Sequence, residues 1–197
     1  VVACLDPNPL VTGQGVANLR AAGIVVEVLP AEHTFAQAAY ELNIGFMNRM
    51  THGTVFTRMK WAQSADGKTA LSDGRSQWIT GEAARMDGHR FRARADAIVT
   101  GIGTVLHDNP QLNVRGVDVA SAPVKYVIDT WARTPVNAKL FDDGKVCVVC
   151  ADMPAEHPMA SQLAVRIELL QQSHDNLSIL QLPTQSIIEP NGNVTRE

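Results

Sequence analysis

Three short apolar runs constrain this chain most: DAIVT (96–100), VKYVID (124–129) and KVCVVCA (145–151). Each is rich in β-branched residues, too short to be a core helix, and bounded by turn-forming or charged residues, the pattern of a buried strand. The intervening segments are long, and the one after DAIVT, GIGTVLHDNPQLNVR, reads as a loop with a helical turn. Strands separated by helical crossovers predict an α/β sheet. AVRIEL (164–169) and LSILQL (177–182) read as further strands, and IIEPNGNVTRE at the C-terminus as a loop entering a helix.

A second pattern precedes this one. VVACL, the turn signal DPNP, the short helix VANLRAA stopped at Gly23, and IVVEVL make one βαβ unit. Such a unit implies two parallel strands joined by a right-handed crossover. The chain opens directly on a strand, as if in mid-domain. Residues 34–50 predict a helix, with Phe35, Ala39, Leu42, Phe46 and Met50 on one face and Thr34 with Gln37 as a capping box. A domain boundary is expected between about residues 46 and 54, giving domains 1–50 and 51–197. TVFTRMKWAQS (54–64) then alternates as a strand, KTALS (68–72) as a short one, and Thr80 is placed to cap a helix carrying a cationic stripe of Arg85, His89 and Arg92.

Composition narrows the function. With 197 residues, a net charge of −3 and 45% apolar content, the chain reads as a soluble globular protein without the basic footprint of a nucleic-acid binder. No apolar run is long enough to span a bilayer, and VVACLDPNP, with no basic start or cleavage site, does not read as a signal peptide. Three cysteines, Cys4, Cys147 and Cys150, are too few and too odd for a disulfide framework and suit a reducing cytoplasm. Cys147 and Cys150 resemble a CxxC pair, yet three residues apart on a strand they face opposite ways. The histidines show no metal-ligand spacing, so no zinc site is expected.

The chemistry is expected between residues 60 and 115. Gly101-Ile-Gly103-Thr104 directly follows a strand, where backbone N–H groups can approach a phosphate; the alternative is an ordinary turn. Arg92 and Arg115 flank loops where strands end, the side on which open α/β sheets bind ligands, and guanidinium forks suit phosphate oxygens. Arg115 could instead be a solvated surface residue. Lys60 reads as an exposed strand lysine or an inward, paired one, and Trp78 as a core residue or a stacking platform.

MKWAQSADGKTA, SQWITGEAAR, RARADAIVTGIGTVLHDNPQLNVR and YVIDT, in that order, resemble the bifunctional riboflavin-biosynthesis deaminase/reductase family. DPNPLVTGQGVANLRAAGI and ELNIGFMNRM look like the end of its deaminase domain and the joining helix. The resemblance implies a dihydrofolate-reductase-like reductase domain, preceded by the C-terminal βαβ part of a cytidine-deaminase-like domain. It implies NADPH-dependent reduction of the ribosyl group of 5-amino-6-(5-phosphoribosylamino)uracil to ribityl. By the same resemblance Ser76, Arg92, Leu112 and Arg115 match substrate positions, and Ala62, Trp78, Thr104, Asp108 and Thr130 match positions near NADPH. Lys60 matches a lysine close to the reacting sugar, there to orient its oxygens or donate a proton. The family's zinc motifs, HAE and PCxxC, would precede residue 1, so zinc and deamination are expected only of a longer parent. The family's later glycine-containing segment would lie beyond Glu197. A small-molecule substrate, a homodimer and a cytoplasmic setting complete the expectation, with no nucleic acid and no membrane. The competing expectations are an inactive fragment that keeps the fold, or a fold relative reducing a pteridine.

Overall fold

In a computed structural model, residues 1–76 and 78–183 are described. The chain divides into two compact units, Val1–Trp61 and the segment from Ala62 onward. The loop and helix expected over 187–197 lie outside the described residues.

In the first unit, α1 (Gln14–Ala21), α2 (Thr34–Leu42) and α3 (Ile44–His52) are the regular elements. The two expected strands are reduced to one parallel bridge, Val2 with Val28, through Val2 N–H to Glu27 O at 2.8 Å and Leu29 N–H to Val2 O at 2.9 Å. The single helix expected over 34–50 is two. Asn43 ends α2 and begins α3, and its Nδ2 bonds back to the Ala39 carbonyl at 2.9 Å, a side-chain competition that breaks helices. The cap of α2 is His33, not Thr34: His33 Nδ1 accepts from Phe35 N–H at 3.2 Å. Ala36 and Met47 are the buried helix residues, whereas Phe35, Leu42 and Phe46 of the expected stripe are exposed. Residues 54–61 form no regular element and have no ladder partner among the described residues, so the expected strand is absent there; Val55, Met59 and Trp61 are exposed.

The second unit is built on β1 (Ala97–Gly101), β2 (Val124–Ile128), β3 (Val146–Asp152) and β4 (Leu177–Pro183). All neighbours are parallel and the order is β1-β2-β3-β4, the expected α/β architecture. A parallel sheet wound in one direction by right-handed crossovers sends every connection over the same face. That face carries the core: Val127, Val146, Val148 and Cys150 pack with Val105 of α5 (Ile102–Asp108) and Leu163 and Leu170 of α6 (Ala160–Ser173). On the opposite face Val99, Ile128 and Leu180 stay exposed.

AVRIEL is not a strand but the middle of α6. Leu163, Ile167 and Leu170 recur at helical spacing and reach the core, while Val165 and Leu169 are exposed. KTALS is not a strand either. Its neighbourhood holds two tight turns of the same make: Ser64 N–H to Lys68 O at 2.9 Å around Gly67 (φ 80°), and Leu71 N–H to Arg75 O at 2.8 Å around Gly74 (φ 84°). Positive φ at the fourth residue of each Asp-Gly turn is what glycine supplies without strain. The cap of α4 (Glu82–Ala93) is Gly81 rather than Thr80, whose carbonyl instead accepts from Arg85 Nη1 at 2.6 Å.

Candidate functional site

Strand register sets the frame. Gly101 and Ile128 are partners across β1 and β2, so the segments that leave these two residues emerge from the same carboxyl edge. From Gly101 the chain enters α5, with Thr104 exposed in its first turn and Asp108 at its end, where its carboxylate meets His107 Nδ1 at 2.9 Å. From Ile128 it passes through Asp129 to Thr130, which is half-buried. Asp129 is fully buried and makes this turn: its Oδ2 accepts from both the N–H and the Oγ1 of Thr134, each at 2.7 Å. Its other oxygen has no hydrogen-bond partner among the described residues, with Arg133 Nε 4.0 Å away. Carboxyl edges of adjacent parallel strands are where α/β sheets place ligands.

The segment after α5 is strained and held from α4. Asn109 (φ 42°), Leu112 (φ 54°) and Gly116 (φ 68°) all take left-handed backbone, which is uncommon for a bulky leucine. Asn109 Oδ1 accepts from Lys139 N–H at 2.9 Å. Arg92 Nη1 donates to the Asn113 carbonyl at 2.7 Å, and the Arg115 N–H donates to His89 Nδ1 at 3.1 Å. A Cβ added at Gly116 would lie 3.0 Å from Met86 Cε, so the segment lies tight against α4. Asn113 Oδ1 is buried with no hydrogen-bond partner among the described residues.

These bonds bring Arg92 and Arg115 into one electrostatic neighbourhood. Burial and the Arg115 guanidinium both lower the Arg92 pKa from its ordinary value. Burial, then Arg92 and Arg115, lower that of His89, against a raising bond from the Asn113 backbone. Two cations in one neighbourhood favour an anion between them.

Of the other expected positions, Trp78 is 72% exposed, with the Arg85 guanidinium 4.5 Å from its ring centre, a cation–π contact. Arg85 therefore leaves the cationic stripe of α4 for the indole. Ser76 and Ala62 are half-buried. Lys60 belongs to the first unit, on the irregular segment before Ala62, and is exposed. His89 and Asn113 were not among the residues expected at the site; the three-residue spacing of His89 and Arg92 on one helix was the signal available for the histidine.

Among the described residues no group of three or more His, Cys, Asp or Glu side chains could hold a metal ion. Cys147 and Cys150 are free and buried, and Cys150 lies in the core on the face opposite Cys147. No described helix is long and apolar enough to cross a membrane.

Known proteins resemble this chain in sequence and fold. The family model described as the RibD C-terminal domain matches residues 55–185. Riboflavin biosynthesis protein RibD of Aquifex aeolicus (strain VF5) is 42% identical over 142 residues, which is 72% of this chain and 39% of that protein. RibD of Acinetobacter baumannii, a solved structure, is 37% identical and superposes with a TM-score of 0.66, covering 97% of this chain and 48% of that one. A solved Thermotoga maritima protein described as a diaminohydroxyphosphoribosylaminopyrimidine deaminase/5-amino-6-(5-phosphoribosylamino)uracil reductase is 28% identical, with a TM-score of 0.64 over 91% of this chain and 52% of that one. The chain thus spans about two fifths of the length of that curated relative.

Proposed function

Because this chain belongs to the RibD family through its C-terminal domain, we propose that it is the reductase part of riboflavin biosynthesis, reducing 5-amino-6-(5-phosphoribosylamino)uracil to its ribitylamino product with NADPH. The observation that carries the reading is the pair of neighbouring guanidinium groups, Arg92 and Arg115, held by α4 and the strained 112–116 segment. A sugar phosphate is the anion that such a pair suits.

The residues present fit a dinucleotide. Gly101 and Gly103 have nothing within 4 Å of an added Cβ, so the turn is open to close approach. Thr104, in the first turn of α5, and Thr130 follow neighbouring strand ends and carry hydroxyls, and Trp78 offers an accessible indole. In this reading Ala62, Trp78, Thr104, Asp108 and Thr130 hold NADPH, which supplies a hydride when bound. Ser76, Leu112, Arg92 and Arg115 hold the substrate. The overall change adds a hydride to C1′ of the ribosylamine and a proton to the ring oxygen as the C1′–O bond opens. Lys60 is assigned to orient the sugar oxygens or to deliver that proton. The protein's share is position and charge, since the redox chemistry is the cofactor's.

The same reading takes the substrate as a small molecule, the enzyme as a homodimer and its setting as the cytoplasm, which free cysteines suit. It places zinc-dependent deamination in a longer bifunctional parent. Isothermal titration of the chain with the phosphorylated substrate and with its dephosphorylated form tests the phosphate site. Binding that requires the phosphate supports the assignment; equal binding of both forms contradicts it.

A further inference from the structure

The bond between His89 and Arg115 has a chemical requirement of its own. Its donor is a backbone N–H, so Nδ1 of His89 must present a lone pair, and a neutral ring then carries its proton on Nε2. His89 and Arg92 stand one turn apart on α4 and grip the facing segment at two points, the Asn113 carbonyl and the Arg115 N–H. On either side of those points Leu112 and Gly116 take left-handed backbone, a conformation that leucine does not hold unaided.

We propose that His89 is a positioning residue: its neutral imidazole fixes the backbone of Arg115 beside Arg92, and a second proton on the ring weakens anion binding at this site. The proposal rests on the reading of Arg92 and Arg115 as the phosphate site. A proton on Nδ1 turns the acceptor into a donor facing a donor, and the bond to Arg115 is lost. The charged groups acting on the ring are Arg92 on its own helix and Arg115 on the facing segment, both cationic; the Asn113 carbonyl is the polar group that favours the proton. Burial, then the two guanidinium groups, lower the ring's pKa from the ordinary histidine value. Simple charge counting gives the opposite sign, because a third cation would tighten a bound dianion. The direction of the pH dependence therefore separates positioning from bulk electrostatics.

Sulfate is the probe, since it stays a dianion where phosphate titrates. The His89 ring and the Arg115 amide are followed by NMR on the whole chain from about pH 8 to about pH 5, with sulfate titrations at both ends. The Arg115 amide is expected to move with the His89 ring, and sulfate affinity to fall about fivefold on acidification as one hydrogen bond is lost. His89→Gln, whose amide oxygen can accept without titrating, should bind sulfate with no such fall, and His89→Leu should bind weakly at both ends. An Arg115 amide indifferent to the His89 titration, or sulfate binding that tightens in acid, overturns the proposal. If the amide follows the ring but sulfate perturbs neither Arg92 nor Arg115, the backbone clamp stands and the phosphate reading fails.

Discussion

Arg92 donates to the carbonyl oxygen of Asn113 at 2.7 Å, tying α4 to a residue 21 positions further along the chain. Arg115, two residues on, is exposed and is held by its backbone rather than by its side chain. The two arginines therefore have different duties, and their variants should differ. Arg115→Ala should weaken binding of the phosphorylated substrate by about 1.5 kcal/mol, the low end for a charge-assisted bond because the group is wet, and leave the urea midpoint unchanged. Arg92→Ala should weaken binding and also lower the midpoint. Equal effects of both on stability would show that Arg92 does not hold the segment.

Asp129 sits fully buried at the head of the turn that leads to Thr130. Asp129→Ala should leave Thr134 N–H without its acceptor and destabilise the chain by about 2 kcal/mol, read from equilibrium urea unfolding. NADPH affinity should fall as well, because Thr130 leads directly out of that turn. Unfolding unchanged within error would show that the turn forms without the carboxylate.

Cys150 should be the slowest thiol to react. Burial first, then the Asp129 charge, push its pKa from the ordinary value of 9.0 up to about 12. With the folded value raised, the unfolded chain releases this proton first as pH rises. Stability from this thiol is thus intact below about pH 9 and declines between there and about pH 12. Thiol titration with an aromatic disulfide should label half-buried Cys4 quickly and Cys150 only on unfolding. Cys150→Val should flatten the alkaline decline. Rapid labelling of Cys150 in the native chain at neutral pH would contradict its burial.

The α/β sheet was legible because β1, β2 and β3 are short β-branched runs with no competing period. AVRIEL was not, because Val165, Ile167 and Leu169 alternate as well as a strand does. Only burial shows that the helical set Leu163, Ile167 and Leu170 governs. The break at Asn43 was hidden for a related reason. The apolar repeat runs through it, and a side-chain bond to a backbone carbonyl leaves no mark in hydrophobic spacing. Residues 54–61 carry a strand's alternation without a ladder, since alternation records a preference and a strand needs a partner.

At the site, the sequence put Arg92 and Arg115 forward as a pair, both flanking loops where strands end. What joins them is long-range: a guanidinium on the Asn113 carbonyl and an imidazole on the Arg115 amide. His89 drew notice only as part of a charged stripe, because its use here is as a neutral acceptor. Nor did the stripe predict that Arg85 would turn to the ring of Trp78.

Hydride transfer is the claim on which the functional account stands. The chain should be incubated with NADPH deuterated at the transferable C4 position and with 5-amino-6-(5-phosphoribosylamino)uracil, and the product examined by mass spectrometry. The account predicts oxidised cofactor and one deuterium in the new ribityl group, at C1′. A product without deuterium, or NADPH left intact while the substrate binds, would contradict it.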